Sequence, residues 1–216
     1  AVVKAGVFTV LKVGIYIFGV EKLAISETTD WVVWIACFSI LFASLIAMTK
    51  DNLKARLAYS TISQLAYVVL GFALANSLGI LGGTLQIITH AFGKITLFMC
   101  AGSIYVATKK TNISDMRGLG RIMPITFLSF LIGAISIIGL PPLGGSWSKW
   151  YLILASLEAE KQFVVIVLLI SSLLNIGYLL PLVARGFFLK PDTETENKRF
   201  SEPNLLVWLP PAITAA

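Results

Sequence analysis

The chain has 216 residues, 57% of them hydrophobic and only 13% charged, with a mean hydropathy of +0.86. A typical soluble domain carries roughly 25% charge, so these residues cannot furnish a charged coat around a core. A bilayer removes that need, because the outer surface can be apolar. In a soluble protein the formal charge of +6 would suggest nucleic acid as a partner. Here the membrane accounts for it, and no nucleic-acid partner is expected.

A span needs about 20 mostly apolar residues. The pattern predicts spans at 2–20, 31–49, 57–75, 79–107, 121–157 and 162–185, with the start of another near 204. The expectation is an all-α, polytopic membrane bundle, one transmembrane domain over 1–216. The first residues, Ala1-Val2-Val3-Lys4-Ala5-Gly6, read as a helix already under way. The last stretch, Leu205-Leu206-Val207-Trp208-Leu209-Pro210, reads as a helix beginning. A fragment cut at both ends is therefore expected.

The segment 79–107 carries five glycines, Gly79, Gly82, Gly83, Gly93 and Gly102. The segment 121–157 is too long for one straight crossing. Within it, Gly139-Leu140-Pro141-Pro142-Leu143-Gly144-Gly145 removes two backbone donors and loosens the rest. One crossing made of two half-helices is predicted, with Pro141, Pro142, Gly144 and Gly145 in the unwound joint. The run 191–200 is the only strongly polar stretch and reads as a surface loop.

The basic residues alternate from one connection to the next. Lys50, Lys54 and Arg56 fall in one; Lys109, Lys110, Arg117 and Arg121 two connections on; Arg185, Lys190, Lys198 and Arg199 two further. The intervening connections hold only Lys22 and Lys161, beside Glu21, Glu27, Asp30, Glu158 and Glu160. This is the positive-inside pattern. It places the basic connections in the cytoplasm, or in the matrix of an organelle, and a bacterial or archaeal inner membrane is the expected location. The sequon Asn112-Ile113-Ser114 lies on that inner side, where it reads as chance. Cys37 and Cys100 sit alone in apolar segments and read as small buried residues.

Setting aside the connections, the spans retain Lys4, Lys12, Lys94, Lys149 and the single His90, with no Asp or Glu. A charge at the bilayer centre costs about 2.5–3.5 kcal/mol on insertion scales, so such residues generally have a task. His90 and Lys94 are spaced i, i+4 on one helix face, with Gln86 and Thr89 nearby. Together they can exchange protons near neutral pH; a hydrogen-bonding role between helices is the alternative. A metal site is not expected, with one His and no acidic or thiol partner. Lys149 follows the helix break, where water and dipoles can be arranged around it, or it snorkels to the interface. Lys4 lies deep if its helix starts upstream. Lys12 lies about 80° further around that helix and has the least defined role, as a possible member of the pathway. The hydroxyl-rich opening Tyr59-Ser60-Thr61-Ile62-Ser63-Gln64 reads as packing and hydrogen bonding between helices. No nucleotide, flavin, quinone or metal motif is present, so no cofactor is expected.

Four motifs now stand in order: Leu57-Ala58-Tyr59-Ser60-Thr61-Ile62-Ser63-Gln64, Thr89-His90-Ala91-Phe92-Gly93-Lys94, Met116-Arg117-Gly118-Leu119-Gly120-Arg121-Ile122-Met123-Pro124, and Gly139-Leu140-Pro141-Pro142-Leu143-Gly144-Gly145-Ser146-Trp147-Ser148-Lys149-Trp150. Together, from about Ala1 to Arg185, they resemble the antiporter-like, proton-conducting membrane subunits. That family includes subunits of respiratory complex I, of membrane-bound hydrogenases and of Mrp-type sodium/proton antiporters, with the D-like branch of the Mrp proteins nearest. The resemblance implies a subunit of about fourteen spans built from two inverted five-helix repeats, of which this chain is the later half. It implies a polar axis at Lys4, His90, Lys94 and Lys149, and gives Lys12 no role. It implies other membrane subunits as partners, and an upstream half with a mid-span Glu and a second broken helix containing Lys. Gly93 and Ser146 depart from the bulky residues common at those positions, which would leave more room beside Lys94 and Lys149.

The expected function is translocation of protons, or of sodium and protons, within a larger complex. The chain would not be catalytic by itself, and a redox arm or an opposing ion gradient would supply the energy. Two alternatives come from other classes. A secondary transporter of an organic solute would show counterflow of that solute in liposomes. A structural anchor would tolerate neutralisation of all four lysines in the spans, Lys4, Lys12, Lys94 and Lys149.

Overall fold

The computed structural model describes residues 2–19, 22–23, 29–190 and 202–215. The polar run 191–200, and Glu21 and Glu27 of the first acidic connection, lie outside the described residues. The described residues form helices with no strand. They are α1 (Val2–Val13, continued by a π-helical turn Gly14–Phe18), α2 (Asp30–Thr49), α3 (Leu53–Ala73), α4 (Ser77–Thr108), the single turn α5 (Leu119–Ile122), α6 (Pro124–Ile138), α7 (Gly144–Glu158), α8 (Gln162–Phe188) and α9 (Leu205–Ala215).

Local chemistry sets the boundaries. Asn52 caps α3 by accepting from Ala55 N at 3.1 Å, and Asn76 caps α4 by accepting from Gly79 N at 2.8 Å. The Asn76 amide also donates to Ala155 O at 2.8 Å, which clasps the start of α4 to the end of α7. The α6 N-terminus is capped from a distance. The Glu202 carboxylate accepts from Ile125 N, Thr126 N and Thr126 Oγ1 at 2.8, 3.2 and 2.7 Å, which suits the positive end of a helix.

The helix break is shorter than the sequence suggests. The unwound joint is Gly139–Leu143, while Gly144 and Gly145 already open α7. Leu143 holds the extended N-cap position, and its carbonyl accepts from Ser146 N and Ser146 Oγ at 3.1 and 2.7 Å. The two glycines therefore serve closeness: a Cβ on Gly145 would collide with the Ser136 carbonyl. The glycines of 79–107 likewise leave α4 unbroken over 32 residues. They let helices touch, since a Cβ on Gly71 of α3 would stand 3.1 Å from the Gly83 Cα.

By length and composition, α2, α4 and α8 can each cross a membrane. The 21 residues of α3 have the length, but Ser60, Thr61, Ser63 and Gln64 dilute its apolarity. Trp31, Trp34, Phe38 and Phe42 of α2 and Ile166, Leu169, Ile170 and Leu173 of α8 are exposed. Water would not tolerate an apolar surface of that extent; hydrocarbon does.

Inside, two apolar clusters occupy opposite ends. One gathers Leu53, Leu57, Leu97, Ile104, Phe127, Phe130 and Leu182. The other gathers Val33, Ile40, Leu70, Leu152, Val164 and Leu168. Between them lies a polar band: Ser44 of α2, Ser60 and Gln64 of α3, Ser148 and Lys149 of α7, Ser171 and Asn175 of α8. The central α4 adds Gln86, His90 and Lys94 to the band.

This arrangement puts Asp115, after α4, and Glu158, at the end of α7, at opposite ends of the bundle. Both are exposed. Single cysteines at these positions, in a background without Cys37 and Cys100, are expected to react with a membrane-impermeant thiol reagent from opposite sides. Labelling from one side would contradict the orientation read from the basic connections.

Candidate functional site

Lys94 is 4% exposed in the middle of α4. Its ammonium donates to Leu57 O at 2.9 Å and Ser60 Oγ at 2.7 Å, both on α3. Ser60, in the hydroxyl-rich opening, thus serves more than packing. His90, one turn earlier on the same face, is buried, and neither ring nitrogen has a hydrogen-bond partner among the described residues. The two share a face without bonding to one another. Lys4 of α1 is partly exposed and lies within electrostatic range of both.

Lys149 is 6% exposed in the second turn of α7. Its ammonium donates to Ile138 O at 2.7 Å and Ser172 Oγ at 3.1 Å, and lies 5.3 Å from the centroid of the Tyr67 ring. The helix break makes this possible. The last carbonyls of a helix lack intrahelical partners and carry its negative end, and Ile138 is the last residue of α6. Gly139 follows at φ +87°, a left-handed conformation that favours glycine, and a Cβ there would stand 2.7 Å from Lys149 Cδ. The joint thus supplies both the acceptor and the passage for the lysine stem.

Among the described residues, neither buried ammonium is paired with a carboxylate. Both rest on neutral oxygens. No group of His, Cys, Asp and Glu among them could hold a metal. The described ion pair, Lys161 with Asp30, lies at the acidic end of the bundle.

Two sets of polar side chains lie between the lysines. In one, Ser148 Oγ donates to Gln86 Oε1 at 2.6 Å and Gln86 Nε2 donates to Gln64 Oε1 at 2.7 Å, joining α7, α4 and α3. In the other, the Tyr178 hydroxyl stands 2.9 Å from Ser60 Oγ and bonds Asn175 Oδ1. Ser171, Ser172, Asn175 and Tyr178 do not stand out in the sequence, because α8 is otherwise so apolar. The spacing of Asn175 and Tyr178, i+4 and i+7 from Ser171, is the signal that could have found them.

The structure thus groups Lys4, His90 and Lys94, and sets Lys149 across the polar band from them. Lys12 is exposed on α1 and no described contact joins it to the others. Pro141 and Pro142 are exposed in the joint. The place of the missing Gly93 side chain is taken by Ile137, since a Cβ there would lie 2.9 Å from Ile137 Cδ1, and the cavity of about 410 Å³ that Gly93 lines is not bordered by Lys94. Gly93 serves the close packing of α4 on α6. Ser146 does border a cavity of about 540 Å³, which Lys149, Trp150 and Ser172 also line.

Residues 1–175 match the family described as NADH:quinone oxidoreductase/Mrp antiporter, transmembrane region. The chain belongs to this family. NADH-quinone oxidoreductase subunit N of Desulforudis audaxviator is 39% identical over 163 residues, covering 76% of this chain and 32% of that protein. The same fold occurs in a chain of the Mrp complex from Dietzia sp., with a TM-score of 0.85 at 21% identity, over 98% of this chain and 46% of that one. It occurs again in respiratory complex I from Thermus thermophilus, with a TM-score of 0.80 at 21% identity, over 94% and 43%. Both neighbours are chains of membrane complexes, and at this identity the likeness shows a shared fold. This chain spans about a third of the length of the curated relatives it matches.

Gly139→Ala tests the role of the joint. The left-handed backbone and the approach of the Lys149 stem both oppose a Cβ. The expected outcome is a loss of more than about 1 kcal/mol in stability, read as a lowered thermal midpoint of the solubilised complex.

Proposed function

We propose that this chain carries protons through its polar band, by transfer among Lys4, the His90–Lys94 pair and Lys149, as one element of a multisubunit ion-translocating complex. The observation that carries the reading is the burial of two ammonium groups on neutral oxygens. Lys94 and Lys149 make their contacts with carbonyls and hydroxyls rather than carboxylates. A salt-bridged lysine is held in its charged form, whereas one solvated by dipoles alone can exist charged or neutral. That freedom is what a proton carrier needs.

The same chemistry favours protons over sodium. A hard cation seeks several oxygen ligands, usually with a carboxylate among them, and the band offers it buried ammonium groups that repel it. His90 has two free ring nitrogens among the described residues, so it can accept a proton at one and release it at the other. Lys4 of α1 lies within electrostatic range of this pair and is the group through which it would exchange with the rest of the path. The chain drives nothing by itself; energy arrives from the complex.

Two substitutions test the reading in the assembled complex, reconstituted in liposomes with proton flux as the measurement. Lys149→Ala is expected to abolish or strongly reduce flux with assembly largely intact. An ammonium without a countercharge is costly to bury, so its removal need not disrupt assembly. At Lys94, both Met and Arg should fail: Met cannot hold a proton, and Arg does not release one near neutral pH. Wild-type flux in Lys94→Arg with failure of Lys94→Met would mean that a fixed charge suffices, and would sink proton exchange at this position.

A further inference from the structure

Lys94 and Lys149 do not share a hydrogen-bond partner, so a proton passing between them needs an intermediary. The Gln64–Gln86–Ser148 set is a poor candidate, because two of its three members are amides, which do not readily exchange protons along a chain. The other set begins on Lys94 itself. Ser60 Oγ accepts from the Lys94 ammonium at 2.7 Å and stands 2.9 Å from the Tyr178 hydroxyl. That hydroxyl also reaches Asn175 Oδ1. A phenol has one proton to donate, so it serves Ser60 or the Asn175 side, never both. Beyond it, Asn175 Nδ2, Tyr67 Oη and Gln64 Nε2 are buried with no hydrogen-bond partner among the described residues. Tyr67 Oη lies within reach of Ser172 and Asn175, and the Tyr67 ring lies under the Lys149 ammonium. Buried polar atoms of this kind are ordinarily satisfied by ordered water.

The geometry points to Tyr178 as the hydroxyl that passes protons between Lys94 and Lys149, with Ser60 as its neighbour on the Lys94 side. This rests on the proton-carrying reading given above.

The transfer balances without a redox step. With Lys94 charged and Lys149 neutral, Lys94 donates to Ser60, Ser60 to Tyr178, and Tyr178 to a water held by Asn175 and Tyr67. An N–H bond of Lys94 breaks as an O–H bond forms on Ser60. The former Ser60 proton moves to Tyr178, and the former Tyr178 proton to the water. The water passes a proton to the Lys149 amine. Every oxygen ends with as many protons as it began with, and one positive charge has moved from Lys94 to Lys149. The hydroxyls now point the other way. Rotation of Ser60 and Tyr178 restores them.

A purely structural Tyr178 would tie α8 to α3 and nothing more. Tyr178→Phe separates the two roles, because it keeps the ring packed in its apolar cluster and removes only the hydroxyl. In the assembled complex in liposomes, flux is expected to fall at least about tenfold with assembly unchanged. Ser60→Ala should give a similar loss. The double variant should be no slower than the slower single one, since both interrupt one chain; independent structural defects would instead multiply. Wild-type flux in Tyr178→Phe, or multiplied losses in the double variant, would overturn the relay. Should Tyr178→Phe fail to assemble, Ser60→Ala decides by the same criterion. Lys149→Ala, run alongside, separates the two claims. If it stops flux while Tyr178→Phe does not, only the relay is wrong. If it too pumps normally, the proton reading itself fails.

Discussion

The structure turns on the cost of holding two ammonium groups inside an apolar bundle without a countercharge. An isolated charge cannot be placed in a low-dielectric interior unless dipoles replace the water it loses. The fold supplies those dipoles in two ways. For Lys149 it interrupts a helix, so that Ile138 ends α6 with a free carbonyl and Gly139 lets the lysine stem pass. For Lys94 it turns a hydroxyl-bearing face of α3 toward α4, where Ser60 Oγ and Leu57 O take the ammonium. The break between α6 and α7 and the polar opening of α3 are two answers to one electrostatic demand.

The remaining architecture accommodates that demand. Close glycine contacts draw α3 against α4 and α4 against α6, which brings lysine, serine and glutamine side chains from different helices within hydrogen-bond reach. The Asn76 clasp and the Glu202 cap fasten helix ends that lie outside the band. The ends of the helices are thus fastened, and the middle is left to buried polar groups.

Much of this was legible in the sequence, because the relevant signals are local. Hydropathy located the helices, and the Pro-Pro-Gly-Gly run marked the break. The shortage of charge in the spans drew attention to His90, Lys94 and Lys149. Their neighbours were harder to see. Ser60 could be read as packing because nothing in a one-dimensional pattern says which lysine it faces. Asn175 and Tyr178 hide in a 27-residue apolar helix. Gly93 misled for a similar reason: a missing side chain suggests space, and only the approach of Ile137 from a helix more than forty residues along the chain shows that the space is taken. Gly144 and Gly145 fell in the helix rather than the joint because Leu143 could begin it.

The polar band has an electrical meaning. Lys94 meets α3 at Leu57 and Ser60, and Lys149 meets it at Tyr67, so the two ammonium groups stand about 10 Å apart along the helix axis. Moving one elementary charge through the whole transmembrane potential involves about 2.3 kcal/mol per 100 mV. Under the proposed function, a charge passing from Lys94 to Lys149 would cross part of that field. Voltage would therefore act on the exchange between the lysines itself, in proportion to the depth it spans. The offset between the two lysines is where this chain would feel the potential of a membrane around it.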